Sequence, residues 1–285
     1  MTTRIAILGA AGQMGTRISR SLHGEADYEP MHVEGNPEGQ EKIRQRGDKP
    51  SRFEDAVAAA DVVIMAVPDR LIGKVSAAAI GHMRSGAMMV CLDPAAPYAG
   101  LIPERPDISV FVCHPAHPSV FNEEATLEAR FDFFGSGKAR QPIVCALLRG
   151  PEADYAKGQK LAMTMWKPVS RAHRITVEQM AILEPVLSET VAATCVAIIR
   201  EATDEAVRRG VPAEAARDFV LGHVFYELGI AFEKAGFAKP EGTRKTVEEA
   251  KKHILQPDWK KVFEPAALLE SVKKITGTWP EGYNA

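Results

Sequence analysis

His114 and His117 each precede a proline in Cys-His-Pro-Ala-His-Pro, residues 113–118. Imidazole is the side chain best suited to moving a proton, or holding a metal ion, near neutral pH. Proline fixes its own φ and pushes the residue before it towards extended backbone. Both histidines are therefore expected to be extended, close to polyproline II, with their rings on one edge about 9 Å apart. That spacing suits the wall of a groove better than two rings closing on one ion. A stiff loop with two solvated histidines satisfies the same residues. Asn122 follows in His-Pro-Ser-Val-Phe-Asn (117–122) and shares the expected position beside a reacting carbon.

A second constellation lies near the start of the chain, in Leu-Gly-Ala-Ala-Gly-Gln-Met-Gly, residues 8–15. Gly9 permits a tight turn, Gly12 lets backbone approach a pyrophosphate, and Gly15 lets a helix pack closely on a strand. Gln13 and Met14 open that helix, whose free N–H groups and dipole favour phosphate. Glu34 ends the next expected strand, about 20 residues beyond Gly15, where an acid hydrogen-bonds the adenosine ribose and repels a 2′-phosphate. NAD rather than NADP is the expected cofactor. Arg44 and Arg46 come too far downstream for obvious phosphate clamps, unless the loop folds back. Pro68 and Asp93 end later strands, in Ala-Val-Pro-Asp and Leu-Asp-Pro-Ala-Ala-Pro, at the edge where open α/β sheets bind ligands. Plain turn-forming roles fit the prolines equally well.

Glu184 stands before Pro185 in Met-Ala-Ile-Leu-Glu-Pro-Val-Leu (180–187). Proline inside a helix removes one backbone bond and bends the axis. A carboxylate among those apolar neighbours needs a cation, a proton or a donor. A solvated face is the competing reading, because Glu178 and Glu189 lie on the same helix. His223 and Glu227, spaced i, i+4, are an ordinary surface pair. Trp279 and Tyr283 in the tail suit docking rather than catalysis.

The elements that must position these residues change character along the chain. Apolar runs at 4–9, 29–35, 61–68, 87–94 and 108–115 alternate with helical spacing. Strands apolar on both faces and separated by helices require a parallel sheet covered on both sides. Further runs at 142–150 and 167–175, with a helix between, extend the pattern. We expect a doubly wound, mostly parallel nucleotide-binding domain over 1–175 and an all-helical substrate and dimerisation domain over 176–285. Thr176 and Gln179 form an expected capping box for a helix from Val177 to Arg209. Such a helix exceeds what a small domain covers alone, and Val-Ala-Ala-Thr-Cys-Val-Ala-Ile-Ile (191–199) is apolar nearly all round. It is the expected homodimer interface.

Composition narrows the partners. The 285 residues are 46% hydrophobic and 25% charged, with a formal net charge of -2, so neither nucleic acid nor an anionic membrane is expected. No apolar stretch of membrane-spanning length escapes a charge or a proline. The opening residues run straight into an expected strand, so no signal peptide is expected. Cys91, Cys113, Cys145 and Cys195 lie in or beside apolar runs and are read as buried thiols in a reducing cytoplasm.

The glycine motif, the Cys-His-Pro-Ala-His-Pro-Ser-Val-Phe-Asn strand end and the helix containing Glu184 together resemble the 6-phosphogluconate-dehydrogenase-type oxidoreductase superfamily. Within it, the whole chain is most similar to the oxidoisomerases of branched sugar acids. That resemblance implies NAD-dependent oxidation of a C2 hydroxyl coupled to migration of a carbon group, giving a 3-oxo product. It also implies one divalent ion on His114 and Glu184, zinc before magnesium or manganese. A metal-independent hydroxy-acid dehydrogenase, with His114 or His117 as base, is the alternative in the same class. A non-catalytic NAD(H) sensor is the contrasting one, and the chain shows no helix-turn-helix with a basic face to serve it.

Overall fold

The protein is described by a computed structural model over residues 2–277, so Trp279 and Tyr283 lie outside the described residues. Its first part comprises β1 (Thr3–Leu8), α1 (Gln13–Leu22), β2 (Tyr28–Val33), α2 (Pro37–Gln45), β3 (Pro50–Ser51), α3 (Phe53–Ala59), β4 (Val62–Met65) and α4 (Asp69–Ile80). It continues with β5 (Met88–Cys91), α5 (Ala95–Tyr98), β6 (Ser109–Pro115), α6 (Leu127–Arg130), β7 (Gln141–Arg149), α7 (Ala153–Met165) and β8 (Val169–Arg174). These strands form one sheet in the order β3-β2-β1-β4-β5-β6-β7-β8.

Side chains alternate across that sheet with a period of two. Ala6 and Leu8 of β1 face a core shared with Val57, Ile72 and Met180. Ile5 and Ile7 face another, shared with Ile18, Leu22, Ile43 and Leu161. The strands read as continuous apolar runs because both faces are covered. Each fully buried aliphatic side chain contributes about 1.5–3 kcal/mol. The doubly wound, mostly parallel fold is therefore as expected. One strand departs from the expected pattern: β7 runs antiparallel to β6. A parallel return needs a crossover, usually helical, and the segment between them carries only the four-residue α6.

The second half is helical: α8 (Val177–Ala181), a π-helical stretch (Ile182–Ala193), α9 (Thr194–Arg208), α10 (Ala213–Ala231), α11 (Glu241–Ile254), a 3₁₀ turn (Trp259–Phe263) and α12 (Pro265–Ile275). The Thr176–Gln179 capping box is present. The helix expected over 177–209 is not a simple bent α-helix, because Pro185 sits within the π-helical stretch. Proline has no N–H to return to the Ala181 carbonyl, and a slip to the wider ladder accommodates that missing bond.

Two compact units result. Among the described residues, one holds those up to Pro185 together with Leu268 to Gly277; the other is Val186–Ala267. The division expected at 175 falls instead at Pro185, since α8 buries Val177 and Met180 on the sheet unit. The last helix also belongs there, burying Leu268 and Val272. In the other unit, α9 buries none of its residues and α10 only Ala216 and Gly229. Cys195 is accordingly exposed, unlike Cys91, Cys113 and Cys145, and the expectation of four buried thiols fails at α9. By length and hydropathy alone, Val177–Arg208 also passes for a membrane-crossing helix.

Candidate active site at the carboxyl edge of the sheet

The glycine loop joins β1 to α1, and its three glycines are needed for different reasons. Gly9 has φ +86°, and an added Cβ would lie 2.4 Å from the Ala66 carbonyl oxygen. A Cβ on Gly15 would lie 2.2 Å from the Gly9 oxygen, so helix and strand pack closely only without it. At Gly12 the nearest atom would be 3.4 Å away. The fold tolerates a side chain there, so its absence opens space for a ligand. Gln13 and Met14 begin α1 with no side-chain cap and no acid in the first turn, leaving the helix N-terminus open to an anion.

From Gly9 a groove of about 580 Å³ runs past Glu34, Asn36 and Gln40 to apolar Phe53, Val67 and Leu71. The Glu34 carboxylate accepts from the Ala11 N–H (3.2 Å), the Gly35 N–H (3.0 Å) and Asn36 Nδ2 (3.2 Å). It stands at the rim of this groove. Arg44 lines the same groove and pairs with Glu41 at 3.3 Å.

Arg46 does fold back, but behind the glycine loop. Its Nη1 donates to the Ala10 carbonyl at 2.8 Å, and its Nη2 to Ser19 Oγ (3.1 Å) and His32 Nδ1 (3.2 Å). Guanidinium only donates, so Nδ1 of His32 is the acceptor and Nε2 carries the proton, facing Asp48 at 3.4 Å. Burial holds His32 below its ordinary value, in keeping with a neutral ring. Arg46 is thus a buttress of the loop, a role with no local signal in the sequence.

His114 lies in β6 opposite Val144. Its Nδ1 is 2.8 Å from the Leu92 carbonyl oxygen, which can only accept, so the neutral ring keeps its proton there and offers Nε2 as a lone pair. Burial holds this imidazole below its ordinary value. Asp93 stands 4.0 Å from the same nitrogen, and its other oxygen accepts from the Ala95 N–H at 2.7 Å. Pro68 precedes α4 as its exposed N-cap.

The next residue, Asp69, was not expected at the site. Burial pushes its carboxyl up to about 6, and nearby Asp93 adds to the rise. Its visible signal was position, since it closes Ala-Val-Pro-Asp at this edge. A raised carboxyl favours the protonated folded state, so its cost grows as pH rises from about 4 to 6 and is complete above. Asp69→Asn should therefore match the parent near pH 4 and exceed it by about 1–2 kcal/mol near pH 7.5 after allowance for partial exposure, read by denaturant unfolding of the cofactor-free protein.

His117 departs from expectation. Its φ is +59°, not extended, and its ring centroid lies 6.4 Å from that of His114, edge to face, not about 9 Å away. Local proline geometry is overridden by a hydrogen bond from His117 Nδ1 to the Phe134 carbonyl (3.1 Å) and by contact with the Phe134 ring (5.9 Å). Both histidines thus anchor Nδ1 on a carbonyl and leave Nε2 for chemistry. Asn122 is engaged within its own loop, its amide donating to the Ser119 carbonyl (2.9 Å) and, more weakly, to that of Arg130 (3.3 Å). Glu184 lies in the π-helical stretch just after α8, which packs on β7 and α5. Among the described residues, no group of three or more His, Cys, Asp or Glu is arranged to hold a metal ion. His223 stacks on Phe219, and Glu227 pairs with Lys239, within their own unit.

Comparison with known proteins decides the family. Residues 4–92 match the family described as NADP oxidoreductase, coenzyme F420-dependent, and residues 122–276 match phosphogluconate dehydrogenase (decarboxylating) C-term. A D-apionate oxidoisomerase from Cupriavidus necator is 44% identical over 97% of this chain and 100% of its own length. One from Rhizobium rhizogenes is 43% identical over 96% and 100%. The chain belongs to the D-apionate oxidoisomerase family. It is an oxidoreductase, and the resemblance carried by its motifs is borne out. A crystal structure of a Cupriavidus necator protein, described as a semialdehyde dehydrogenase NAD-binding protein in complex with calcium and NAD, shares its fold at a TM-score of 0.94. The two are 44% identical over 97% of this chain and all of that one.

Proposed function

We propose that this protein is an NAD-dependent oxidoisomerase that converts D-apionate, a branched sugar acid, to the rearranged 3-oxo product. The observation that carries this reading is the pair of carbonyl-anchored imidazoles, His114 and His117, at the carboxyl edge of a sheet with an open dinucleotide groove. The two relatives named for this activity support the substrate, and the Cupriavidus structure holding NAD supports the cofactor. NAD, when bound, supplies the hydride acceptor. His117 Nε2 takes the C2 hydroxyl proton as hydride leaves C2. The tertiary C3 hydroxyl then loses its proton, a carbon group migrates from C3 to C2, and the new C2 alkoxide is protonated. Asn122 holds the loop that carries His117, and Asp93 stands beside His114.

A divalent ion fits His114. A ligating histidine commonly donates its other N–H to a carbonyl, which Leu92 accepts here, and it must be neutral, which burial favours. His114 and Glu184 would hold it, where it would supply a Lewis acid to the two neighbouring substrate oxygens. Two protein ligands leave positions open for substrate. Imidazole favours zinc over magnesium or manganese, and equally over the calcium of the Cupriavidus structure, which prefers oxygen. Incubation with D-apionate, linear aldonates and NAD tests the whole reading, with NADH formation and the product's carbon skeleton followed by NMR. A 2-oxo product with its skeleton intact would return the protein to the plain hydroxy-acid dehydrogenases.

The same proposal includes a cytoplasmic homodimer that binds neither nucleic acid nor membrane. Val196 in α9, Phe219 and Phe225 in α10, and Phe232 just after it are all more than half exposed, an apolar burden unusual for a soluble monomer. A second copy covers it, and sedimentation should show a dimer across a wide concentration range. A concentration-independent monomer excludes that assembly.

A further inference from the structure

Arg17, on α1, does not line the groove beside Glu34; it lines a separate cavity of about 470 Å³ with Gly12, Gln13 and Phe134, and it is only 7% exposed. Its guanidinium packs between Trp166 (4.8 Å) and Phe134 (5.2 Å) and forms no ion pair among the described residues. Burial pushes it down to about 10, with Asp132 acting in the opposite sense. A buried cation held by rings and one carbonyl is a costly way to fill space.

What it does touch is specific. Nη1 donates to the Phe134 carbonyl at 3.0 Å, and the same oxygen accepts Nδ1–H of His117 at 3.1 Å. That carbonyl sits in a turn fixed from the other side. The Asp132 carboxylate accepts from the N–H and hydroxyl of Ser136 (2.7 Å each), Lys138 N–H (3.0 Å) and Ala139 N–H (3.2 Å). His117 itself occupies left-handed backbone, where a residue with a side chain stays only under outside constraint.

We propose that Arg17 is a positioning residue: it pins the Phe134 carbonyl, which holds His117 as the Nδ1–H tautomer and leaves Nε2 free for the substrate hydroxyl. This rests on the reading of His117 as the proton-transfer group. A role in packing alone would lower stability without selecting a tautomer.

Imidazole nitrogen NMR on the full-length protein tests the core of the idea without any variant. His117 is expected to be protonated on Nδ1, and protonation on Nε2 overturns the proposal. Arg17→Met keeps an unbranched stem between the two rings but removes the donor. It should lower kcat by about ten- to a hundredfold and mix the His117 tautomers. Arg17→Lys, which restores one donor, should recover part of both signals. An unchanged tautomer in Arg17→Met, with or without a fall in kcat, overturns the proposal; if that variant does not fold, the parent spectrum still decides. Full turnover in His117→Ala would remove the functional reading of His117, whereas the tautomer measurement judges the Arg17 contact separately.

Discussion

His114→Ala is expected to lower turnover by about a hundred- to ten-thousandfold, the range for loss of a positioned acid–base group or metal ligand. The fold should survive. His114 sits at the end of β6, where its side chain is 20% exposed, and the variant leaves only the Leu92 carbonyl without its donor. That loss costs about 1 kcal/mol. Glu184→Gln keeps shape and removes charge, so it should weaken the ion while sparing NAD. Oxidation and rearrangement should be followed separately, with and without a chelator. If His114→Ala keeps full metal affinity and full product yield, the proposed ion site is wrong. Burial also holds both imidazoles below the ordinary histidine value, so each stays neutral further into acid than a free imidazole. The acid limb of the pH profile should lie correspondingly low.

The fold was legible in the sequence where the signal is burial. Strands such as Val62–Met65 are apolar on both faces because helices cover both, and that reads directly as a parallel sheet. Thr176 and Gln179 announced their cap by local chemistry alone. Direction is not encoded in periodicity, however, and β7 reversed without changing its residue pattern. His117 shows the larger limit. Pro118 argues for extended backbone, but a carbonyl 17 residues away in sequence overrules it. Asp69, Arg46 and Arg17 owe their roles to what the fold packs against them, so their residue types alone were silent. The glycine loop was readable because each glycine answers a separate geometric demand within one short segment.

Glu34 gives the second large effect, a preference for NAD over NADP on the order of 1–3 kcal/mol, or about five- to a hundred-and-fiftyfold in kcat/KM. The family matched by residues 4–92 is described as an NADP oxidoreductase, so the carboxylate is what argues the other way. Gly39 makes room for it, since a Cβ there would lie 2.3 Å from Glu34 Cγ. Three hydrogen bonds then fix its oxygens at the groove rim, which turns a mobile acid into a standing charge against a 2′-phosphate. Glu34→Ala removes the repulsion but also the acceptor for the Ala11 N–H, loosening the glycine loop and weakening NAD. Glu34→Gln removes the charge and keeps an acceptor, so it isolates the repulsion. Both variants should narrow the NAD-to-NADP ratio, with the greater loss of NAD efficiency in Glu34→Ala. Neither should become a strong NADP enzyme, because Arg46, the half-buried cation behind the loop, is already engaged with Ala10, Ser19, His32 and Asp48. Equal kcat/KM for the two cofactors in the parent protein would mean that the carboxylate does not discriminate, and the cofactor assignment would fall with it.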